Sequence, residues 1–215
     1  MNNFNEVEQK VAESLLQIKA IKLQPKSPFT WASGWRSPIY CDNRVALSHP
    51  AIRTYIRQKL SERIQEEFGS VEMISGVATA GIPQGVLVAQ DLGLPFTYVR
   101  SSAKDHGRQN LIEGEVVSGQ RVVVIEDLVS TGKSSLIAVK ALREAGCNVV
   151  GLISIFTYGF DEAVNNFTAA KCPLFSLCTY ESLIKVAVDK SYILESDVEM
   201  LEQWRKDPAS WEPNV

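Results

Sequence analysis

Two adjacent carboxylates, Glu126 and Asp127, close an unbroken apolar run from Val122 to Ile125, and Leu128, Val129, Ser130, Thr131, Gly132, Lys133 and Ser134 follow. The apolar run reads as a buried strand, and the small and hydroxyl residues after it as a turn ahead of a strongly helical stretch. In an open α/β sheet, ligands bind at the carboxyl ends of strands. Carboxylates there accept hydrogen bonds from sugar hydroxyls. Loop amides and hydroxyls backed by a helix N-terminus hold a phosphate. Residues 122–135 therefore predict a ribose-phosphate site.

A triphosphate P-loop competes for the same residues, because Gly132-Lys133-Ser134 matches its tail. That pattern needs a second glycine where Asp127 stands, and an acid at that position repels phosphate. An ordinary strand–turn–helix with Ser130 or Thr131 as N-cap accounts for the hydroxyls. It gives no reason for paired acids at a strand end.

Two further strand ends carry suitable chemistry. Ala78-Thr79-Ala80-Gly81-Ile82-Pro83 is a run of small residues that lets backbone amides approach an anion, although such turns are also common helix starts. Arg100, Lys104, His106 and Arg108 cluster in an otherwise acidic chain, inside a long polar loop with Gly107 and Gly114. A loop of this kind within a compact domain suits a cationic lid. A substrate with a ribose, a 5′-phosphate and a second polyanionic group would use all three strand ends.

The elements that must position these residues follow from periodicity. Val7, Val11, Leu15 and Ile18 have helical spacing, which predicts an amphipathic helix from about Asn5 to Ile21. Residues Phe29 to Arg44 mix aromatics with Ser33, Gly34 and Pro38 and read as short strands joined by a turn. Helices are expected at about 50–68, with Pro50 in the first turn, and at 83–92, from the 122–135 loop to 145, and at 161–170, 179–188 and 195–206. Strands are expected at 71–78, 95–100, 121–126, 148–156 and 174–177. This alternation predicts an α/β fold with a central, mainly parallel sheet covered by helices on both faces. Residues before about 45 would form a small N-terminal hood over its carboxyl edge, within a single domain spanning 1–215.

The chain has 215 residues, 45% of them hydrophobic, and a formal net charge of −3. That balance gives no reason to expect nucleic-acid or membrane partners. No stretch reaches the ~18 apolar residues of a membrane span, and the N-terminus, with Glu6 and Glu8, is unlike a signal peptide. A cytoplasmic location is expected. The four cysteines, Cys41, Cys147, Cys172 and Cys178, form no CxxC pair and read as reduced, mostly buried thiols. With only two histidines, His49 and His106, a His-based metal centre is not expected, and oxygen-bound Mg²⁺ is the more natural ion.

VVVIEDLVSTGKS resembles the phosphoribosyl diphosphate signature of the type I phosphoribosyltransferases. FTWASGWRSPIYCDNR, GVATAGIP and YVRSSAKDHGRQNLIEG, with YESLIKVAVDKSYI and LEQWRKDP nearer the C-terminus, extend the resemblance to the orotate phosphoribosyltransferases over essentially the whole chain. The resemblance implies the type I phosphoribosyltransferase fold. It also implies Mg²⁺-dependent transfer of ribose 5-phosphate from 5-phosphoribosyl 1-diphosphate to orotate, giving orotidine 5′-monophosphate and diphosphate in pyrimidine biosynthesis. By the same resemblance Glu126 and Asp127 bind the ribose hydroxyls, and the loop through Leu128, Val129, Ser130, Thr131, Gly132, Lys133 and Ser134 holds the 5′-phosphate. Arg100, Lys104 and His106 bind the diphosphate, and Arg100, Lys104 and Asp127 are the residues implied for catalysis. Mg²⁺ would be held mainly by substrate diphosphate and ribose hydroxyls, with no dedicated protein ligand set. In the family the loop with Lys104 and His106 reaches the partner subunit's site, so a homodimer with shared active sites is implied.

The chain departs from the family at several positions. Ala32, Ala80 and Thr157 stand where members carry basic residues, and Ser101 and Ser102 where a second basic residue often accompanies the lid arginine. Arg36 and the Ser33–Gly34 backbone are then the expected partners of the orotate carboxylate. Tyr158 is a candidate for stacking on the base, although a tyrosine at a strand end commonly packs in a core. A phosphoribosyltransferase for another base, or a non-catalytic sensor of phosphoribosyl diphosphate, is the alternative. The hood segment and the KDHG loop favour orotate. The chain also lacks the basic recognition helix that a regulator would add.

Overall fold

The structure is a computed structural model that describes residues 3–31, 33–101 and 111–212. In chain order its helices and strands are α1 (Asn3–Gln17), β1 (Ile21–Leu23), β2 (Phe29–Thr30), β3 (Arg36–Ser37), β4 (Ile39–Cys41), α2 (Pro50–Phe68), β5 (Met73–Val77), α3 (Gly81–Leu92), β6 (Phe96–Val99), β7 (Ile112–Glu113), β8 (Arg121–Val129), α4 (Lys133–Glu144), β9 (Asn148–Thr157), α5 (Asp161–Ala169), β10 (Leu174–Thr179), α6 (Tyr180–Asp189) and α7 (Val198–Lys206). Two compact units share them, one made by the chain before Pro50 together with the chain from Cys178 onward, the other by Pro50 to Leu177.

The second unit is built on a six-stranded sheet in the order β10-β9-β8-β5-β6-β7. The pairs β5–β6, β5–β8 and β8–β9 are parallel, and the short β7 runs antiparallel to β6. All of β5 and residues 122–126 of β8 are buried, as strands with both faces covered must be. Helices α3 and α4 both pack on β8 and β5, and α2 packs on β9. The mainly parallel, helix-flanked sheet expected from the alternation is therefore present.

Small residues allow the tightest of these contacts. A Cβ on Gly81 would collide with the Ile125 carbonyl oxygen, and one on Gly85 would lie 2.6 Å from the Phe96 ring. The first turn of α3 therefore rests directly on the strand that carries the paired acids.

In the first unit, β1 pairs with β4 and β2 with β3, both antiparallel. Helix α1 packs on α6 through a buried stripe that includes Val11, Ala12, Leu15 and Leu16. The fully buried Trp204 of α7 donates its indole N–H to the Arg36 carbonyl at 3.1 Å. Its ring meets Trp31 edge-on at 5.6 Å, and the Trp31 indole N–H reaches the Ile39 carbonyl. The last helix thus braces the 29–41 strands.

Several boundaries differ from the periodicity reading. Helix α1 stops at Gln17 because Lys19 takes a left-handed conformation (φ +58°), and Ile21 already starts a strand. β8 continues three residues past Glu126, pairing Leu128 with Phe156 and Val129 with Thr157. The end of the polar loop folds back as β7, held by Arg100 N–H to the Leu111 carbonyl at 2.9 Å. No helix among the described residues is long and apolar enough to cross a membrane.

Candidate active site

Glu126 and Asp127 lie inside β8, one step before its last paired residues. Successive strand residues face opposite ways, so the two acids have different surroundings. Glu126 is 5% exposed and its carboxylate is already engaged, accepting from the Asp127 N–H and from the Ser135 hydroxyl, each at 3.1 Å. Burial pushes the Glu126 carboxyl well above the usual carboxylate range, and the adjacent Asp127 charge pushes the same way. Asp127 is half-buried. Beside the Asp127 charge, Glu126 therefore holds its proton more tightly than a free glutamate.

Residues 130–132 connect β8 to α4 and belong to neither. Gly132 is the N-cap of α4 with φ +78°, and no side chain caps the helix, so neither Ser130 nor Thr131 takes the N-cap position expected of an ordinary turn. A Cβ on Gly132 would sit 2.6 Å from the buried Phe167 ring. Asn166 donates its side-chain amide to the Thr131 carbonyl at 3.0 Å, and Lys133 pairs with Glu162 at 2.9 Å. Ser134 is exposed at the first turn of α4. Four backbone amides at an uncapped helix start are unmatched by the helix itself, which is the arrangement that holds phosphates.

The other two strand ends arrive at the same sheet edge. Gly76 pairs with Tyr98 on one side and Ile125 on the other, so Ala78, Arg100 and Asp127 come next at a common level. Adjacent strands are about 4.8 Å apart, which places Arg100 and Asp127 on the order of 10 Å apart across the edge. The Ala78 N–H bonds the Val99 carbonyl at 2.8 Å, and Ala80 starts α3 without a side-chain cap. Among the described residues one guanidinium nitrogen of Arg100 is buried without a hydrogen bond, and its ion pair with Glu113 is long, at 3.6 Å.

Lys104 and His106 lie outside the described residues, as does Ala32. Ser33 and Gly34 are exposed at the turn between β2 and β3, where the Gly34 N–H bonds the Trp31 carbonyl and φ is +87°. Arg36 is exposed, with its carbonyl held by Trp204. Tyr158 is 2% exposed and stacks on Phe160 at 5.2 Å, so it packs in a core and is not presented to a base. Thr157 caps its own strand end, its hydroxyl donating to the Val129 carbonyl and accepting from the Gly159 N–H. The four cysteines are free, and three are buried.

Three contacts lay beyond the reach of local sequence reading: Glu162, Asn166 and Phe167 of α5 against the 131–133 loop. Helix 161–169 has an ordinary amphipathic pattern, and partners about 30 positions away leave no local signal. Leu128 and Val129 did carry a signal for the longer strand, since both are β-compatible apolar residues. Among the described residues no cluster of three or more His, Cys, Asp or Glu side chains is arranged to enclose a metal ion. The hard oxygens of Asp127 and Glu126 suit a divalent ion held chiefly by substrate oxygens.

Residues 46–187 match the model of the phosphoribosyl transferase domain. The orotate phosphoribosyltransferase of Phocaeicola vulgatus is 57% identical over 206 residues, covering 96% of this chain and 97% of that protein. The protein of the same name from Listeria innocua is 51% identical, covering 95% and 98%. Among solved structures, the orotate phosphoribosyltransferase of Aeropyrum pernix superposes with a TM-score of 0.73 at 28% identity over 84% of this chain and 97% of that one. The UMP synthase of Leishmania donovani superposes with a TM-score of 0.77 at 26% identity over 94% of this chain, which spans 43% of that longer protein. The sheet order, the acid-bearing strand with its loop, and this similarity over nearly the whole length agree: the chain belongs to the phosphoribosyltransferase family and has the type I phosphoribosyltransferase fold.

Proposed function

We propose that the protein is an orotate phosphoribosyltransferase, moving ribose 5-phosphate from 5-phosphoribosyl 1-diphosphate to orotate in pyrimidine biosynthesis. The observation that carries the reading is the alignment of three strand ends, which sets an acid pair and the loop after it level with an arginine whose ion pair to Glu113 is long. The choice of orotate is supported by the names of relatives that match over their full lengths.

In this reading the uncapped start of α4 and the 130–134 loop take the 5′-phosphate, and Asp127 with Glu126 takes the ribose hydroxyls. The C1–O bond to diphosphate breaks as the orotate ring nitrogen forms its bond to C1. Positive charge builds on the ribose ring and negative charge on the departing diphosphate. The Asp127 carboxylate is assigned to the side of the sugar. Arg100, Lys104 and His106 are assigned to the leaving group, the last two from the loop of the neighbouring subunit. Each such electrostatic contact is typically worth a few kcal/mol in a water-excluded site. The charge of orotate is on its carboxylate, so the ring nitrogen gives up its N–H proton to water or a diphosphate oxygen as the bond to C1 forms, and His106 is assigned to binding the diphosphate.

A divalent ion, Mg²⁺ in this proposal, would be held by diphosphate and ribose oxygens beside Asp127 and would neutralise charge on the leaving group. Arg36 and the Ser33–Gly34 backbone are assigned to the orotate carboxylate. The protein would act in the cytoplasm as a homodimer, with the 101–114 loop completing the neighbouring subunit's site.

The test is direct. Orotate absorbance should fall when 5-phosphoribosyl 1-diphosphate and Mg²⁺ are added, and chelating the ion should stop the change. No loss of orotate under any divalent ion would overturn the proposal.

A further inference from the structure

A trans peptide is planar, with its C=O and the following N–H pointing in opposite directions. Whatever fixes a loop carbonyl therefore aims the next amide. The Thr131 peptide belongs to neither the strand ladder nor the helix, because β8 ends at Val129 and the first bond of α4 runs from the Leu136 N–H to the Gly132 carbonyl at 2.9 Å. Helix α5 holds this stretch from outside. Asn166 of α5 donates to the Thr131 carbonyl at 3.0 Å, the Phe167 ring fills the space beside the Gly132 α-carbon, and Glu162 pairs with Lys133 at 2.9 Å. Glu162 and Asn166 are four residues apart and so share one side of the helix. The Glu162 pair is exposed on both partners and contributes little. Phe167 supports the glycine without setting the direction of a peptide. The Asn166 bond is the one that orients a dipole.

We propose that Asn166 is a positioning residue for phosphoribosyl binding: by holding the Thr131 carbonyl toward α5 it turns the Gly132 N–H away from that helix and toward the 5′-phosphate. The inference rests on the reading of 130–134 as the 5′-phosphate loop. Asn166 touches no reacting atom and acts only through the loop.

Ribose 5-phosphate and inorganic diphosphate separate this role from general support of the fold, because only the first uses the loop. Asn166→Asp keeps the shape and replaces the donor with a charge that repels the carbonyl. Ribose 5-phosphate affinity, measured by calorimetry, should fall about tenfold, the worth of one hydrogen bond of this kind. Diphosphate affinity should stay unchanged. Asn166→Ala, a good helix former, repeats the comparison if the aspartate variant does not fold. Equal weakening of both ligands, or no weakening of either, overturns the inference. If the unmutated protein binds diphosphate but ignores ribose 5-phosphate, the reading of the loop itself falls, and the inference with it.

Discussion

Arg100 and Asp127 stand at the same level of one sheet edge, each two residues beyond a partner of Gly76, with a single strand between them. That relationship joins a half-buried acid to a guanidinium whose buried nitrogen, among the described residues, has a long ion pair with Glu113 and no hydrogen bond. The spacing across one strand suits a sugar ring held on the acid side and a polyphosphate held on the arginine side.

The arginine gives the first prediction. The Arg100–Glu113 ion pair is long and partly exposed, worth at most about 1 kcal/mol, so Arg100→Met should change the melting temperature little. The same substitution should lower kcat/KM for 5-phosphoribosyl 1-diphosphate by about a hundredfold, the usual effect of removing a charge-stabilising contact. Thermal melts and steady-state kinetics on one preparation check both. A stability loss alongside unchanged kinetics would make Arg100 a structural residue.

The raised Glu126 pKa gives a stability prediction with a definite sign. A folded carboxyl that holds its proton more tightly than the unfolded one contributes stability below the ordinary glutamate pKa. That contribution is lost as pH rises through the folded value. Glu126→Gln removes this dependence. Its melting temperature relative to wild type should rise as pH climbs from the ordinary glutamate pKa through the neutral range. A difference that stays flat across that range would mean that Glu126 is buried without a shifted pKa.

Gly132 meets two requirements at once, a left-handed backbone and contact with the Phe167 ring. Gly132→Ala should lose about 1–2 kcal/mol from the backbone conformation alone, with more from the collision. Ribose 5-phosphate binding should weaken with it. Denaturant unfolding and calorimetry read the two effects, and a neutral substitution would show that the loop reshapes freely.

The Lys133–Glu162 pair, with side chains 73% and 46% exposed, draws the loop's one lysine toward α5. Exposed pairs of this kind are worth at most about 1 kcal/mol, so Glu162→Gln should hardly change stability. It should lower KM for 5-phosphoribosyl 1-diphosphate about twofold by releasing the ammonium for phosphate. A raised KM would instead mean that Glu162 holds Lys133 in its working position.

Much of this architecture was legible in the chain itself. The alternation of apolar runs and helical stretches pointed to the parallel sheet, and Val122–Ile125 marked its central strand. Paired acids before a hydroxyl-rich turn are costly anywhere but at a polar edge, so residues 122–135 pointed to a strand end and loop at the sheet's carboxyl edge, where the structure has them. Long-range contacts were not legible. Nothing near Asn166 announces the Thr131 carbonyl, 35 positions away, and nothing near Trp204 announces the Arg36 carbonyl, 168 positions away. Boundaries such as the end of β8 depend on what the neighbouring strand offers. Pairing with β9 at Phe156 and Thr157 carried β8 three residues past the turn expected after Glu126. Tyr158 shows the same limit, since its stacking on Phe160 in a core depends on packing and not on its place after a strand.

The central claim is transfer to orotate, and product analysis tests it most directly. The protein is mixed with 5-phosphoribosyl 1-diphosphate, Mg²⁺ and either orotate, uracil, adenine or hypoxanthine, and nucleotide and diphosphate are both quantified. The predicted result is orotidine 5′-monophosphate and diphosphate in equal amounts from orotate, with no nucleotide from the other bases. Nucleotide formed from one of those bases but not from orotate would contradict it.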